Sequence, residues 1–235
     1  MRLAVIPARG GSKRIPRKNI KPFAGRPIIA WSIDAARESG CFDKIIVSTD
    51  DPEIADVARA FGAETPFLRA QDISGDMAGT IPVIAHATQY SVSAGWAPEL
   101  VCCIYATAPF VRASDLRAGL ALLQDTGVDY TFSVTNFSAP IQRALRLAPD
   151  GSVAMFAPDE RDSRSQDLVE AYHDAGQFYW GQAGAWLAER PVFGASSRAL
   201  VLPRYRVQDI DTPDDWRRAE LMFNALSELG DGEPE

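Results

Sequence analysis

Apolar runs bounded by glycine and proline recur along the first half of the chain in the rhythm strand, helix, strand. Positions 3–6 (LAVI) are continuously apolar and end at Pro7, and 44–49 (KIIVST) is equally continuous and β-branched. Unbroken apolar runs of this length belong to strands covered on both faces, whereas a half-exposed strand alternates. Between them Pro27 stands at a first helical position, 28–38 carries apolar residues at helical spacing, and Gly40 ends the pattern. A helix over 52–61 closed by Gly62, a strand over 64–68, a helix over 81–94, a strand over 101–107 (VCCIYAT), a helix over 114–125 and a strand over 129–135 (DYTFSVT) follow. Strands alternating with helices predict βαβ units and a mainly parallel sheet.

From 136 to about 190 the rhythm changes. RALRL and SVAMF are short strand-like segments joined by Pro149-Asp150-Gly151, followed by the polar run DERDSRSQD and the aromatic run YHDAGQFYWG. Hairpin chemistry predicts an antiparallel lobe inserted into the parallel sheet. Strand character returns at 199–203 and 205–211, and a terminal helix begins at Pro213 before the frayed tail GDGEPE. The expected architecture is α/β: one domain over 1–235, three layers deep, with the small lobe at about 136–190.

Composition narrows the function. The 235 residues are 46% hydrophobic and 23% charged, with no repeat or low-complexity tract. Arg2 and Arg9 bracket too few apolar positions for a secretory signal, and no run approaches the ~20 residues that span a bilayer, so a cytoplasmic protein without membrane contact is expected. Cys41 and the adjacent Cys102 and Cys103 make neither metal nor disulfide spacing and are expected to be reduced core residues. A formal net charge of -7 argues against a nucleic-acid partner.

Against that acidic background, ARGGSKRIPRKN places five cations between Arg9 and Asn19, directly behind the first strand. A strand, a glycine-bearing cationic loop and a helix together offer backbone amides and positive charge to phosphate. Gly10 and Gly11 permit close backbone approach, and Arg9, Lys13, Arg17 and Lys18 can neutralise a polyphosphate. A merely solvated basic loop is the alternative. The spacing matches neither the dinucleotide fingerprint nor the Walker loop.

IPARGGSKRIPRKN resembles the signature of the cytidylyltransferases that activate nonulosonic acids, the CMP-sialic acid synthetase group. Within that group, CCIYATAPF (102–110) and YHDAGQFYWG (172–181) are more similar to pseudaminic acid cytidylyltransferases, and the likeness extends to DIDTPDDW (209–216). The resemblance implies a Rossmann-like nucleotidyltransferase fold, a homodimer formed through the lobe, and a reaction: CTP and a nine-carbon 2-keto acid sugar give the CMP-sugar and pyrophosphate. It further implies that Arg9 and Lys18 hold the triphosphate, that Ser12 and, more weakly, Lys13 contact phosphate, and that Asn19 contacts the nucleotide. Arg69, in PFLRAQD, is implied to read the cytosine and Thr80 to lie near the base. Ala70 departs from the proline that relatives often carry.

Asp209 and Asp211 flank Ile210 at alternate positions of an expected strand end, so both carboxylates should face one way. The pair suits a hard dication such as Mg²⁺; the competing possibility is that one of them caps the helix starting at Thr212-Pro213. With the family likeness, Asp209 and Asp211 are expected metal ligands, and Asp211 joins Arg9 and Lys18 in catalysis. No side-chain base is assigned. A nonulosonic acid brings a carboxylate, for which Arg143 and Arg164 on the lobe are candidates. Gln177, Phe178, Tyr179 and Trp180 are expected to form a mixed wall around the sugar, with His173 beside it. Tyr105 replaces the glutamine of sialic acid synthetases and Val111 their arginine, which points away from N-acetylneuraminic acid and agrees with the resemblance to pseudaminic acid enzymes, another acidic sugar such as legionaminic acid, N-acetylneuraminic acid or Kdo being the alternative.

Overall fold

The structure, a computed structural model, describes residues 1–75 and 78–229. Its centre is β1 (Arg2–Pro7), whose four inner residues Leu3, Ala4, Val5 and Ile6 are wholly buried, as a strand covered on both faces requires. A tight β2 (Pro22–Phe23) and β3 (Arg26–Pro27) ribbon leads into α1 (Ile28–Ser39), which Gly40 ends at φ 64°. Next come β4 (Lys44–Ser48) and α2 (Pro52–Ala60); the Asp51 side chain caps α2 by accepting from the amides of Glu53 and Ile54. The chain continues through α3 (Thr80–Ser93), β5 (Leu100–Ile104), α4 (Ala113–Thr126) and β6 (Tyr130–Asn136). After β7 (Leu145–Leu147) and β8 (Val153–Met155) it runs through β9 (Tyr172–Gln182), α5 (Ala183–Leu187), β10 (Ser197–Val201) and α6 (Pro213–Leu229).

Six strands form one sheet in the order β10-β6-β9-β5-β1-β4. Pairings β10 with β6, β1 with β5 and β1 with β4 are parallel, and both pairings of β9 are antiparallel. On one face α1, α2 and α4 pack with Ala4, Ile6, Cys102, Phe178 and Trp180; on the other α3 and α5 pack with Leu3, Val5, Cys103, Tyr130 and Tyr179. Adjacent residues of each strand thus serve opposite layers, and all three cysteines are free and buried. A third cluster joins Ile15, Phe23, Phe110 and Ile210 to Trp216 and Ala219 of α6.

Three expectations change. The segment 64–68 makes only two isolated parallel bridges, Ile46 with Glu64 and Thr49 with Leu68, because Pro66 between them has no amide to donate. The segment 205–211 is not a strand: a 3₁₀ turn, Arg204–Arg206, is followed by unpaired extended chain. The lobe expected at about 136–190 is narrower, since β9 lies in the middle of the main sheet and only the β7-β8 hairpin and its flanks stand off it. Asp150 organises the hairpin turn by accepting from Ser152, with Gly151 at φ 84°. GDGEPE lies outside the described residues. Among the described residues, no helix is long and apolar enough to cross a membrane.

Gly181 of β9 sits where a Cβ would lie 2.5 Å from the Trp186 ring nitrogen and 2.6 Å from the Tyr130 ring, both fully buried. Trp186 also donates to the Val101 carbonyl at 3.1 Å, so the ring cannot retreat without losing that bond. Gly181→Ala is therefore expected to destabilise the protein by about 1–3 kcal/mol in urea unfolding monitored by tryptophan fluorescence.

Candidate active site

At the carboxyl ends of β1 and β5 a cleft of about 510 Å³ opens, the position where parallel α/β sheets bind ligands. Its walls include Arg9, Ser12, Lys13, Arg14, Lys18 and Asn19 from the basic loop, Arg69, Thr80 and Tyr105 from the opposite side, and Asp211 from the segment before α6. Nine of the residues singled out from the sequence thus converge, although Asp211 is 202 positions from Arg9.

Local chemistry explains the loop's shape. The Asn19 amide donates to the Arg9 carbonyl at 2.9 Å, pinning both ends of the turn. The Gly10 amide donates to Asp50 at 2.9 Å, and a Cβ on Gly10 would lie 2.6 Å from the Asp51 carboxylate. Gly10 is thus required by the approach of Asp51, while Gly11 is exposed with open space where a Cβ would lie. Arg17, at φ 56°, turns its guanidinium onto Asp51 and Glu53 and holds the Asp51 carboxyl below its ordinary range; it does not line the cleft.

Lys18 donates to the Ile210 carbonyl at 2.6 Å and lies 3.4 Å from one Asp211 oxygen, while Arg14 lies 2.9 Å from the other. Arg69 is buried, donates to Ser74 at 3.1 Å and stands 4.0 Å from Asp50. Burial lowers its guanidinium below the usual arginine range; the nearby Arg9 adds to that shift and Asp50 offsets it. Two cations facing one cavity make a field for an anion.

The two candidate metal carboxylates sit differently. Asp211 lines the cleft, whereas Asp209 lines an adjoining hollow of about 840 Å³ with His173, Asp174 and Arg204. Without strand pairing, alternation does not put them on one face. They remain close enough to interact: partial desolvation first, and repulsion from Asp211 second, raise the Asp209 carboxyl. Two hard oxygen donors whose mutual repulsion a dication relieves fit Mg²⁺. Among the described residues no group of three His, Cys, Asp or Glu side chains could hold an ion, so phosphate oxygens and water would have to complete the shell.

Thr80 and Tyr105 share a hydrogen bond of 2.9 Å and form the partition between the cleft and an apolar recess of about 420 Å³. Tyr179, Trp186, Val192 and Phe193 line the recess, and Tyr179 donates to Asp174 at its edge. Burial raises both the Tyr105 and the Tyr179 phenols above the tyrosine range, so both are neutral donors at ordinary pH.

The expected wall of consecutive β9 residues does not exist, because alternation sends them to opposite layers. Phe178 and Trp180 are core residues beneath α4, and Gln177 is buried, donating to the Arg206 carbonyl at 2.7 Å. Arg143 is spent inside its lobe on the carbonyls of Arg161 and Ser163, Arg164 pairs with Asp167, and His173 lines the hollow, edge-on to Phe137. Arg14 was missed: it belongs to the basic run, yet only folding shows which of the five cations meets Asp211. Also missed was Arg206, which forms two hydrogen bonds to Asp115 of α4, at 2.7 and 3.2 Å, both residues buried. That pair holds the chain just ahead of Asp209 and Asp211 and has no local signal, since 91 positions separate its members.

Comparison with known proteins is consistent with this geometry. The family model for cytidylyltransferase matches residues 3–178. The chain is 44% identical over 226 residues to a pseudaminic acid cytidylyltransferase of Campylobacter jejuni subsp. jejuni (strain 81-176), covering 96% of this chain and 97% of that one. It is 30% identical over 233 residues to a CMP-N,N'-diacetyllegionaminic acid synthase of Legionella pneumophila, covering 96% and 97%. Among solved structures, a CMP:2-keto-3-deoxy-manno-octonic acid synthetase complexed with CTP shares the fold, with a TM-score of 0.69 at 15% identity over 96% of this chain and 99% of that one.

Asp115→Asn removes the carboxylate charge that faces the buried Arg206 guanidinium. It is expected to cost about 3–5 kcal/mol of unfolding free energy. Urea titration measures this, and a loss under about 1 kcal/mol would show that the pair does not anchor the segment.

Proposed function

The chain belongs to the cytidylyltransferase family, and from that premise we propose that it transfers CMP from CTP to the anomeric hydroxyl of a nonulosonic acid, pseudaminic acid foremost. The observation that carries the proposal is the single cleft in which Arg9, Lys13 and Lys18 face Arg69 and Thr80 with Asp211 at the rim. A triphosphate at the cationic end puts its base toward Arg69 and Thr80. The anomeric oxygen then attacks the α-phosphorus, the new P–O bond forms as the bond to the β-phosphate oxygen breaks, and pyrophosphate leaves.

Arg9 and Lys18 stabilise the charge that builds on the phosphoryl oxygens, and Lys13 and Ser12 steady the outgoing pyrophosphate. Asn19 acts by fixing Arg9 through its carbonyl, as well as by facing the nucleotide. Asp209 and Asp211 would hold Mg²⁺, which when bound withdraws charge from the phosphates. Positioning and electrostatics carry the rate, and no side chain is assigned as the base that takes the acceptor proton.

The apolar recess beyond Thr80 and Tyr105 receives the sugar, with Tyr105 and Tyr179 lining it and Phe193 meeting its N-acyl groups. The 44% identity to a pseudaminic acid enzyme favours that sugar over legionaminic acid, N-acetylneuraminic acid or Kdo. The enzyme works in the cytoplasm as a homodimer. Supporting the dimer is the apolar surface at 137–171, where Leu147, Val153, Phe156 and Val169 are all more than half exposed.

Pyrophosphate release from CTP and Mg²⁺, assayed in parallel with the four sugars, tests the reaction. Pseudaminic acid is expected to dominate; a different preferred sugar would keep the chemistry and revise the acceptor, and no release with any would remove the proposal. Lys18→Ala and Asp211→Asn are each expected to lower kcat/KM about 100-fold or more, and wild-type turnover in either would strike that residue from the catalytic set.

A further inference from the structure

Both oxygens of the Asp211 carboxylate are occupied by cations from the basic loop. Lys18 reaches one at 3.4 Å while making its shorter bond, 2.6 Å, to the Ile210 carbonyl; Arg14 reaches the other at 2.9 Å. The two contacts differ in how readily they release. Lys18 has a mostly buried side chain and a second, firm partner, whereas the Arg14 side chain is 64% exposed and is held by Asp211 at 2.9 Å and the more distant field of Asp215. An exposed ion pair of this kind is weak enough to exchange for a better partner. Its backbone cannot wander, because the next residue, Ile15, is buried in the same cluster as Ile210. Arg14 also lines the cleft, so a short swing of its side chain moves the guanidinium from the carboxylate to the cleft volume.

We propose that Arg14 is a positioning residue that makes metal capture conditional on nucleotide: its guanidinium occupies Asp211 in the ligand-free enzyme and transfers to the triphosphate when CTP enters. The proposal rests on the function given above. A planar guanidinium pairs bidentately with phosphate, and a triphosphate carries more charge than one carboxylate, so CTP wins the competition for it. The transfer exposes the Asp211 oxygen at the moment when phosphate oxygens are present to complete a metal's shell. Without nucleotide, Arg14 competes with the dication for the same oxygen. Nucleotide and metal therefore bind with positive coupling, and each strengthens the other by the same factor.

Two binding measurements test the exchange, neither of which requires turnover. Mn²⁺ is titrated without nucleotide into the wild type and Arg14→Gln, following the free-ion EPR signal; separately, CTP affinity is measured calorimetrically in EDTA for the wild type, Arg14→Gln, Asp211→Asn and the double variant. Arg14→Gln is expected to bind Mn²⁺ about two- to fivefold more tightly than the wild type. Asp211→Asn is expected to tighten metal-free CTP binding in the wild-type background, because Arg14 no longer has to leave a partner, and to give a smaller gain in the Arg14→Gln background. A simple change in overall charge would add equally in both backgrounds, and a merely structural role for Arg14 would weaken both ligands. Unchanged or weaker Mn²⁺ binding by Arg14→Gln, or an equal Asp211→Asn gain in both backgrounds, overturns the exchange. If CTP binds and turns over normally in the wild type while either result is found, only the exchange falls; if the wild type does not bind CTP, the proposed function falls with it.

Discussion

Lys18 donates to the Ile210 carbonyl across 192 positions of sequence, and on that contact the two ends of the chain become one site. It is reinforced by the burial of Ile15 and Ile210 in a common cluster with Phe23 and Trp216, whose rings meet edge to face at 5.5 Å. Apolar burial supplies the energy of this closure and does not care about direction. The lysine bond supplies the register, since it sets which carbonyl, and so which flanking carboxylates, face the basic loop. α6 belongs to the same device: it covers the cluster and thereby holds the carboxylate segment against the mouth of β1.

Around that closure the sheet makes room for two ligands. A purely parallel sheet would offer one crevice at the ends of its strands. Insertion of β9 antiparallel between β5 and β6 brings a strand's opposite end to the same rim, and with it Tyr179 and the Asp174 side chain. Tyr105, at the end of β5, then stands between a polar cationic cleft and an apolar recess and bonds to Thr80 at the start of α3. One hydroxyl pair thus divides the volume suited to phosphate from the volume suited to methyl and acyl groups.

Most of this fold was legible because its signals are local. Continuous apolar runs marked β1 and β4, and Gly40 and Gly62 marked helix ends by the left-handed φ angles they adopt. The basic loop stood out in sequence because charge density in an acidic chain is itself local. What failed was non-local. The aromatic run at 177–180 read as a wall, yet pleating divides it between two layers, a fact that matters only once β9 is known to be covered on both faces. The segment 205–211 read as a strand from its residues, but burial of Arg206 against Asp115 takes precedence over ladder pairing. The same pair was invisible in sequence, because nothing near Asp115 marks it as the partner of an arginine so far along the chain.

Concentrating cations in a protein of net charge -7 raises a physical problem, since a bare basic loop would collect any anion. The loop's side chains answer it by pairing. Arg17 rests on Asp51 and Glu53, Arg14 on Asp211, and across the cleft Arg69 stands near Asp50. Each carboxylate lowers the field seen by a single small anion, yet each pair differs in what it does when a ligand arrives. Arg17 with Asp51 is locked into the cap of α2 and stays structural. Arg69, buried beside Asp50, is already fixed in direction and needs no rearrangement to meet a nucleotide. Asp211 has each oxygen engaged by a cleft cation, and its exposed pair with Arg14 gives way to a ligand that offers the guanidinium a better partner. A triphosphate, which carries more charge, does that better than a simple phosphate; the acidic partners therefore contribute selectivity to a loop whose composition alone would suggest only attraction.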